Sequence, residues 1–243
     1  MVLKLKKNRR NKRGSQVEFV VSFVLFVTFI IFVYLLLSSK IDFGQGKKNS
    51  LDNAETGILN IVTGNLAVTS VSVNSGSGSC FTFTGLASTL GLSNNIMAQN
   101  SSGANVSAYS DGTSISIDSP STFFTIYNSP EFPPSPGSLG CTPPLAEGTG
   151  YTIGLSKNQS AIFETKILEA FSNYTSNYTA MKKAIQVFPG DDFGMKFTYQ
   201  NGTVIKTAMT NSSISIFADN IPIQYVNQNS GLMQFGSLEV DVW

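Results

Sequence analysis

The sequence predicts an α+β chain: an N-terminal transmembrane helix followed by a mainly antiparallel β ectodomain that carries one long amphipathic helix. Three observations predict it. Residues Phe19 to Leu37 are nineteen consecutive positions without a charge, rich in Phe, Val, Leu and Ile. From Leu66 onward, short runs of β-branched and aromatic residues alternate with Gly-, Ser- and Asn-rich turns. Between Gln159 and Val187 apolar residues recur at spacings of four and three, which places them on one helix face.

The apolar run is a helix of about 28 Å at 1.5 Å per residue, close to the hydrocarbon thickness of a bilayer. It is longer than the core of a secretory signal and leads into "SSKIDFGQGKK" rather than a small-residue cleavage site. Lys4, Lys6, Lys7, Arg9, Arg10, Lys12 and Arg13 precede it, against Lys40, Lys47 and Lys48 after it. That asymmetry puts the N-terminus in the cytoplasm and the rest outside. The expected organisation is a basic leader over 1–14, a transmembrane helix over 15–39, a linker over 40–49 and an extracellular α+β domain over 50–243. Membrane lipid is the first expected partner.

Charge narrows the function classes. Only 13% of residues are charged, and His is absent. From Ser15 onward the chain holds nine Lys, no Arg and fifteen acids, which argues against nucleic-acid binding. Without His, His-based triads, the commonest general acid or base and most zinc sites are gone. No Gly-X-Ser-X-Gly elbow is present, and no Ser-Lys or Cys nucleophile stands out. An enzyme is not expected, nor is a cofactor or metal.

Glu18 stands at the start of the apolar run, where a carboxylate is costly and is paired, snorkelling or functional. On physics alone it sits in the headgroup layer beside Arg13. The arrangement Lys12, Arg13, Gly14, Gln16, Glu18, Phe19 also resembles the class III signal peptide of type IV pilin-like proteins, chiefly archaeal ones, over roughly residues 8 to 38. The resemblance implies a prepilin-type peptidase acting on the cytoplasmic side around Arg13, Gly14 and Ser15. Glu18 is fourth after a cut following Gly14 and fifth after a cut before it, so cleavage is expected within one bond of Gly14. It also implies self-association, or association with other pilin-like subunits, through the N-terminal helix. There Glu18, followed by Phe19, pairs with a neighbour's new amino terminus, because an unpaired buried carboxylate is expensive.

"DFGQGKKNS" is a breaker with two glycines, expected to end the membrane helix; it lacks the pattern of a phosphate loop. Ser50 or Asp52 is expected to cap a second helix through about Val62, with Leu51, Ile58, Leu59 and Val62 inward. "LAVTSVSV", "CFTFT", "SISID" and "STFFTIY" are expected strands. Asn128 to Gly150, with six of the nine prolines, is an irregular excursion tethered by Cys141. The helix over Gln159 to Val187 carries Phe163, Ile167, Phe171, Tyr174, Tyr178, Met181, Ile185 and Phe188 as a stripe that packs on its own sheet, with a subunit seam as the alternative. "DDFGMKFTYQNGTVIKTAM" is a hairpin turning at Asn201-Gly202. "SISIFAD", "PIQYV" and "LMQFGSLEVDVW" are further strands, with a bulge expected at Gly236, where the apolar parity slips, and the C-terminus docked in the sheet.

Cys80 and Cys141 are the only cysteines, both beyond the apolar run, and are expected to form a disulfide; two free buried thiols are the alternative. Asn-X-Ser/Thr sequons occur at Asn100, Asn105, Asn158, Asn173, Asn177, Asn201 and Asn211. Asn173 lies off the helix stripe and Asn201 in a tight turn. Asp191-Asp192, and Asp111 with Asp118, lack any Ca²⁺-loop spacing and read as solvated turn residues. The expected function is a membrane-anchored, pilin-like cell-surface structural protein: filament subunit, minor pilin or adhesin. The alternatives are a surface protein that binds sugars or peptides and uses the signal only as anchor, and a tethered extracellular hydrolase.

Overall fold

A computed structural model describes residues 12–74, 78–208 and 216–243. The chain divides into two compact units, 1–49 and 50–243. Helix α1 (Lys12–Val62) is unbroken across residues 40–49, so the expected linker and the separately capped second helix are not seen. The reason is energetic. Gly44 and Gly46 each cost about 1 kcal/mol against Ala in a helix, and no proline enforces a stop. The final turns of α1 recover that cost by burying Leu51, Ala54, Ile58 and Val62 at spacings of three and four, with Leu59 half-buried. Ser50 caps nothing; its hydroxyl accepts the Phe188 N–H.

The second unit is built on an eleven-stranded sheet. Its strands are β1 (Thr63–Val73), β2 (Cys80–Phe83), β3 (Ile96–Asn100), β4 (Asn105–Ser110), β5 (Ile115–Asp118), β6 (Phe123–Asn128), β7 (Tyr151–Phe163), β8 (Phe193–Tyr199), β9 (Val204–Lys206), β10 (Phe217–Val226) and β11 (Met233–Val242). They run in the order β2-β5-β4-β3-β6-β1-β7-β10-β11-β8-β9. Every pairing between these strands is antiparallel except β7 with β10, joined in parallel only at Tyr225↔Ile162 and Val226↔Phe163. Among the described residues three short helices accompany the sheet: α2 (Leu86–Leu90), α3 (Glu164–Ser176) and α4 (Tyr178–Ala184).

The single helix expected over Gln159 to Val187 is corrected in two places. Residues 159–163 belong to β7, because β1 leaves α1 directly and pairs with them from Thr63↔Ile162 to Leu66↔Gln159. The remainder divides at Asn177, whose backbone (φ −148°, ψ 54°) lies outside the helical region. The stripe nevertheless faces inward: Ile167, Met181 and Ile185 are buried, and Phe171, Tyr174 and Tyr178 pack at the margin of the core. Phe163 is buried as a strand residue, whereas Phe188 is exposed. Strands β3 and β4 and helix α2 were not expected, and "SISIFAD" and "PIQYV" form one strand, β10, to the extent that they are described.

The bulge expected at Gly236 is absent. β11 stays in constant register with β10 from Phe217↔Val242 to Val226↔Met233, and with β8. Gly236 belongs to the inward row with Leu238, Val240 and Val242, and a Cβ there would lie 2.8 Å from the Thr198 oxygen and 2.9 Å from the Phe197 ring. The apolar parity slips because Met233 and Phe235 face outward and exposed. The sheet's irregularity lies between Thr69 and Val71, in the pairing of β1 with β7. Trp243 is buried, and its N–H and C=O exchange hydrogen bonds with Asp192.

Three apolar clusters fill the unit. The largest packs the end of α1, with α3 and α4, on β8, β10 and β11. The second gathers Phe81, Phe83, Phe124 and Tyr151, whose rings meet at 5.3 to 6.3 Å, beside Leu86, Ile115 and Ile117. A small third cluster joins Leu66, Phe132, Phe163 and Val226 near the parallel pairing.

Candidate functional site

The N-terminal element that carries the sequence signal is helical as expected. Val17–Leu36 is an apolar stretch of 20 residues, none of it buried. At about 30 Å it is long and apolar enough to cross a membrane. Arg13, Gly14 and Ser15 lie in the first turn of α1, and Glu18 and Phe19 follow within the same helix, both exposed. The leader before residue 12 lies outside the described residues.

Cys80 and Cys141 form a disulfide, with Cα atoms 5.5 Å apart and a sequence separation of 61. It ties the irregular segment 129–150 to β2, the edge strand of the sheet. Leu145 completes that contact by hydrogen bonding with Thr82 and Thr84 at 2.8 and 2.9 Å. The exposed edge is thereby covered by the chain's own loop, which blocks pairing with other strands.

The sequons fall into distinct settings. Asn158, Asn173, Asn177 and Asn201 are exposed, Asn158 on β7, Asn173 and Asn177 one turn apart around the α3–α4 break, and Asn201 at the tip of the β8–β9 hairpin. Asn100 is half-buried and its Oδ1 accepts from Ser102 and Ala104 N–H groups. Asn105 is exposed, but its amide is engaged on both sides: Nδ2 donates to the Ser230 carbonyl and Oδ1 accepts from Gln99. Asn211 lies outside the described residues.

The carboxylate groupings turn out differently from each other. Asp111 is an exposed turn residue whose Oδ1 accepts the Thr113 and Ser114 N–H groups, and these bonds hold its carboxyl below its usual range. Asp192 is no mere solvated residue; its Oδ1 accepts from the Tyr178 hydroxyl and Lys182 Nζ, both at 2.9 Å, and locks α4 to the start of β8. Among the described residues no group of three or more His, Cys, Asp or Glu could hold a metal ion.

A feature that sequence reasoning passed over lies where α3, β8, β9, β10 and β11 meet. Glu164, the first residue of α3, is 7% exposed, and its Oε2 accepts from Asn227 Nδ2 at 2.7 Å and the Gln228 N–H at 3.0 Å. It forms part of an open cleft of about 610 Å³ with Tyr199, Tyr225 and Gln234. Burial first, and then the Glu164 charge, pushes the Tyr199 hydroxyl up to about 12. No local signal marks this cleft, because its residues are separated by up to seventy positions and Glu164 reads as an ordinary helical carboxylate.

Comparison with protein families, with curated proteins and with solved structures finds no match to the chain.

Proposed function

We propose that the chain is a single-span, pilin-like cell-surface protein, its N-terminus cytoplasmic and residues 50–243 extracellular, acting as a filament subunit, minor pilin or adhesin. The observation that carries this reading is the exposed apolar helix Val17–Leu36 with Glu18 at the end that follows the basic block. A helix with no buried residue over that length has only lipid or other helices to cover it. Glu18 at its head is then costly unless neutralised, and a neighbour's ammonium, freed by a prepilin-type peptidase near Gly14, neutralises it. The disulfide suits an oxidising exterior, and the sequons at exposed positions suit a glycosylated one.

The test is made in the native host. N-terminal sequencing is expected to find the mature protein beginning within one bond of Gly14. Glu18→Gln is expected to reach the membrane with Cys80 and Cys141 still bonded and to be lost from the sheared high-molecular-weight filament fraction. Identical behaviour of mutant and wild type there, or absence of wild type from it, defeats the filament reading.

A further inference from the structure

The cleft at Glu164 lies in the second unit, whereas Glu18 belongs to the first, and its chemistry is selective. Among the described residues its walls hold no Lys or Arg, which leaves an anionic ligand without a counter-charge. Glu164 is the one carboxylate among its described lining residues. Glycoside hydrolysis ordinarily uses two, so the cleft suits binding rather than cleavage. A cage for a quaternary ammonium needs free aromatic faces, but here the rings are turned on one another. Phe197, Tyr199 and Tyr225 meet edge to face at 4.7, 5.3 and 6.0 Å, and Tyr225 is wholly buried.

What the cleft does offer is an array of neutral donors and acceptors around a fixed carboxylate. Glu164 is more than nine-tenths buried and is oriented by Asn227, whose own Oδ1 accepts from Asn229 and Ser230 and so sets the loop. Gln234 is fixed by the Tyr225 hydroxyl, which donates to its Oε1 at 2.8 Å, leaving the Nε2 hydrogens for a ligand. The hairpin adds the Gln200 amide and the Thr203 hydroxyl at the rim. Acceptors and donors mixed on a rigid frame without a formal cation match the vicinal hydroxyls of a sugar.

We propose that this cleft binds a neutral saccharide. Two sources share that chemistry. One is a glycan on another molecule. The other is the chain's own: Asn201 lines the cleft within an Asn-Gly-Thr sequon, and its Oδ1 accepts the Thr203 N–H at 2.9 Å, leaving Nδ2 as the attachment atom at the rim.

The experiment uses the full chain in lipid nanodiscs, made without glycosylation and screened on an array of neutral and acidic glycans, with tetramethylammonium as the cationic probe. Saturable binding of at least one neutral glycan is expected, weakened tenfold or more by Glu164→Gln and threefold or more by Tyr199→Phe, with thermal unfolding retained. Tyr199→Phe serves as the readout if Glu164→Gln does not fold. Glycosylated chain from the native host then separates the sources. If the Asn201 glycan occupies the cleft, external binding is suppressed and Asn201→Gln restores it; if the source is external, Asn201→Gln changes nothing. The proposal is overturned if no neutral glycan binds the unglycosylated chain, if both variants bind as wild type does, or if tetramethylammonium displaces the glycan. None of these outcomes bears on filament entry, so this proposal and the filament reading fail separately.

Discussion

Gly57 and Gly236 show how a single missing Cβ is fixed by distant neighbours. In an isolated helix, Gly57→Ala would stabilise α1 by about 1 kcal/mol. Here the new Cβ would lie 2.5 Å from the Ile185 Cα and 2.7 Å from its Cβ, so the backbone beyond α4 must move. Gly57→Ala and Gly236→Ala are each expected to destabilise by about 1 to 3 kcal/mol, lowering Tm by several degrees in thermal unfolding. Asp241 gives a pH signature. Burial, then the Glu239 charge, raises its carboxyl against the opposing pull of Lys196. A carboxyl raised in the fold disfavours the folded state wherever it is ionised, so this penalty is present at neutral pH and fades as pH falls through the folded value toward the unfolded one. Asp241→Asn is therefore expected to melt higher than wild type at pH 7, with the gap closing by about pH 4. Among the sequons, Asn105 is expected to stay unmodified in glycopeptide mapping, because attaching a sugar would disrupt its hydrogen bond to Ser230.

Elements differ in how locally they are specified. The β8–β9 hairpin was legible because alternation in Phe193 to Tyr199 and the Asn201-Gly202 turn act within a few residues. The membrane-length helix was legible for the same reason, since nineteen uncharged residues satisfy the criterion by themselves. β3 and β4, "IMAQN" and "NVSAYS", carry little apolar alternation and take strand form by pairing with β6 and β5. Phe163 heads the helically spaced stripe, yet residues 159–163 join β7 because β1 supplies a ladder. The disulfide acts at this scale too. Replacing both Cys80 and Cys141 by Ser is expected to cost about 4 kcal/mol for a loop of roughly sixty residues in the chain-entropy model, measured by denaturant unfolding. Hydrogen exchange should show β2 and the segment beside it losing protection first, because their edge contact is what the bond secures.

For the molecule as a whole, the chain divides into two compact units at residue 49/50. Glu18 belongs to the first unit, and the buried clusters belong to the second. On the proposed filament reading, Glu18→Gln is expected to leave the second unit's melting temperature within error of wild type while abolishing filament entry, measured on the same preparation. A shift in both would mean that Glu18 supports folding rather than assembly.

By itself the sequence determined the α+β class, a helix of membrane length with Glu18 at its head and two cysteines able to meet. It also determined most strands and the inward face of residues 167–185. Each of these depends on hydrophobic period or composition over a short window. Only the tertiary structure decided that α1 continues through two glycines, that a helical pattern divides at Asn177 and that Gly236 needs no bulge. The Glu164 cleft likewise exists only once α3, two hairpins and the loop after β10 are brought together. Those outcomes are set by burial and strand pairing between residues far apart in sequence, whose free energies exceed the local preferences of about 1 kcal/mol that a sequence displays.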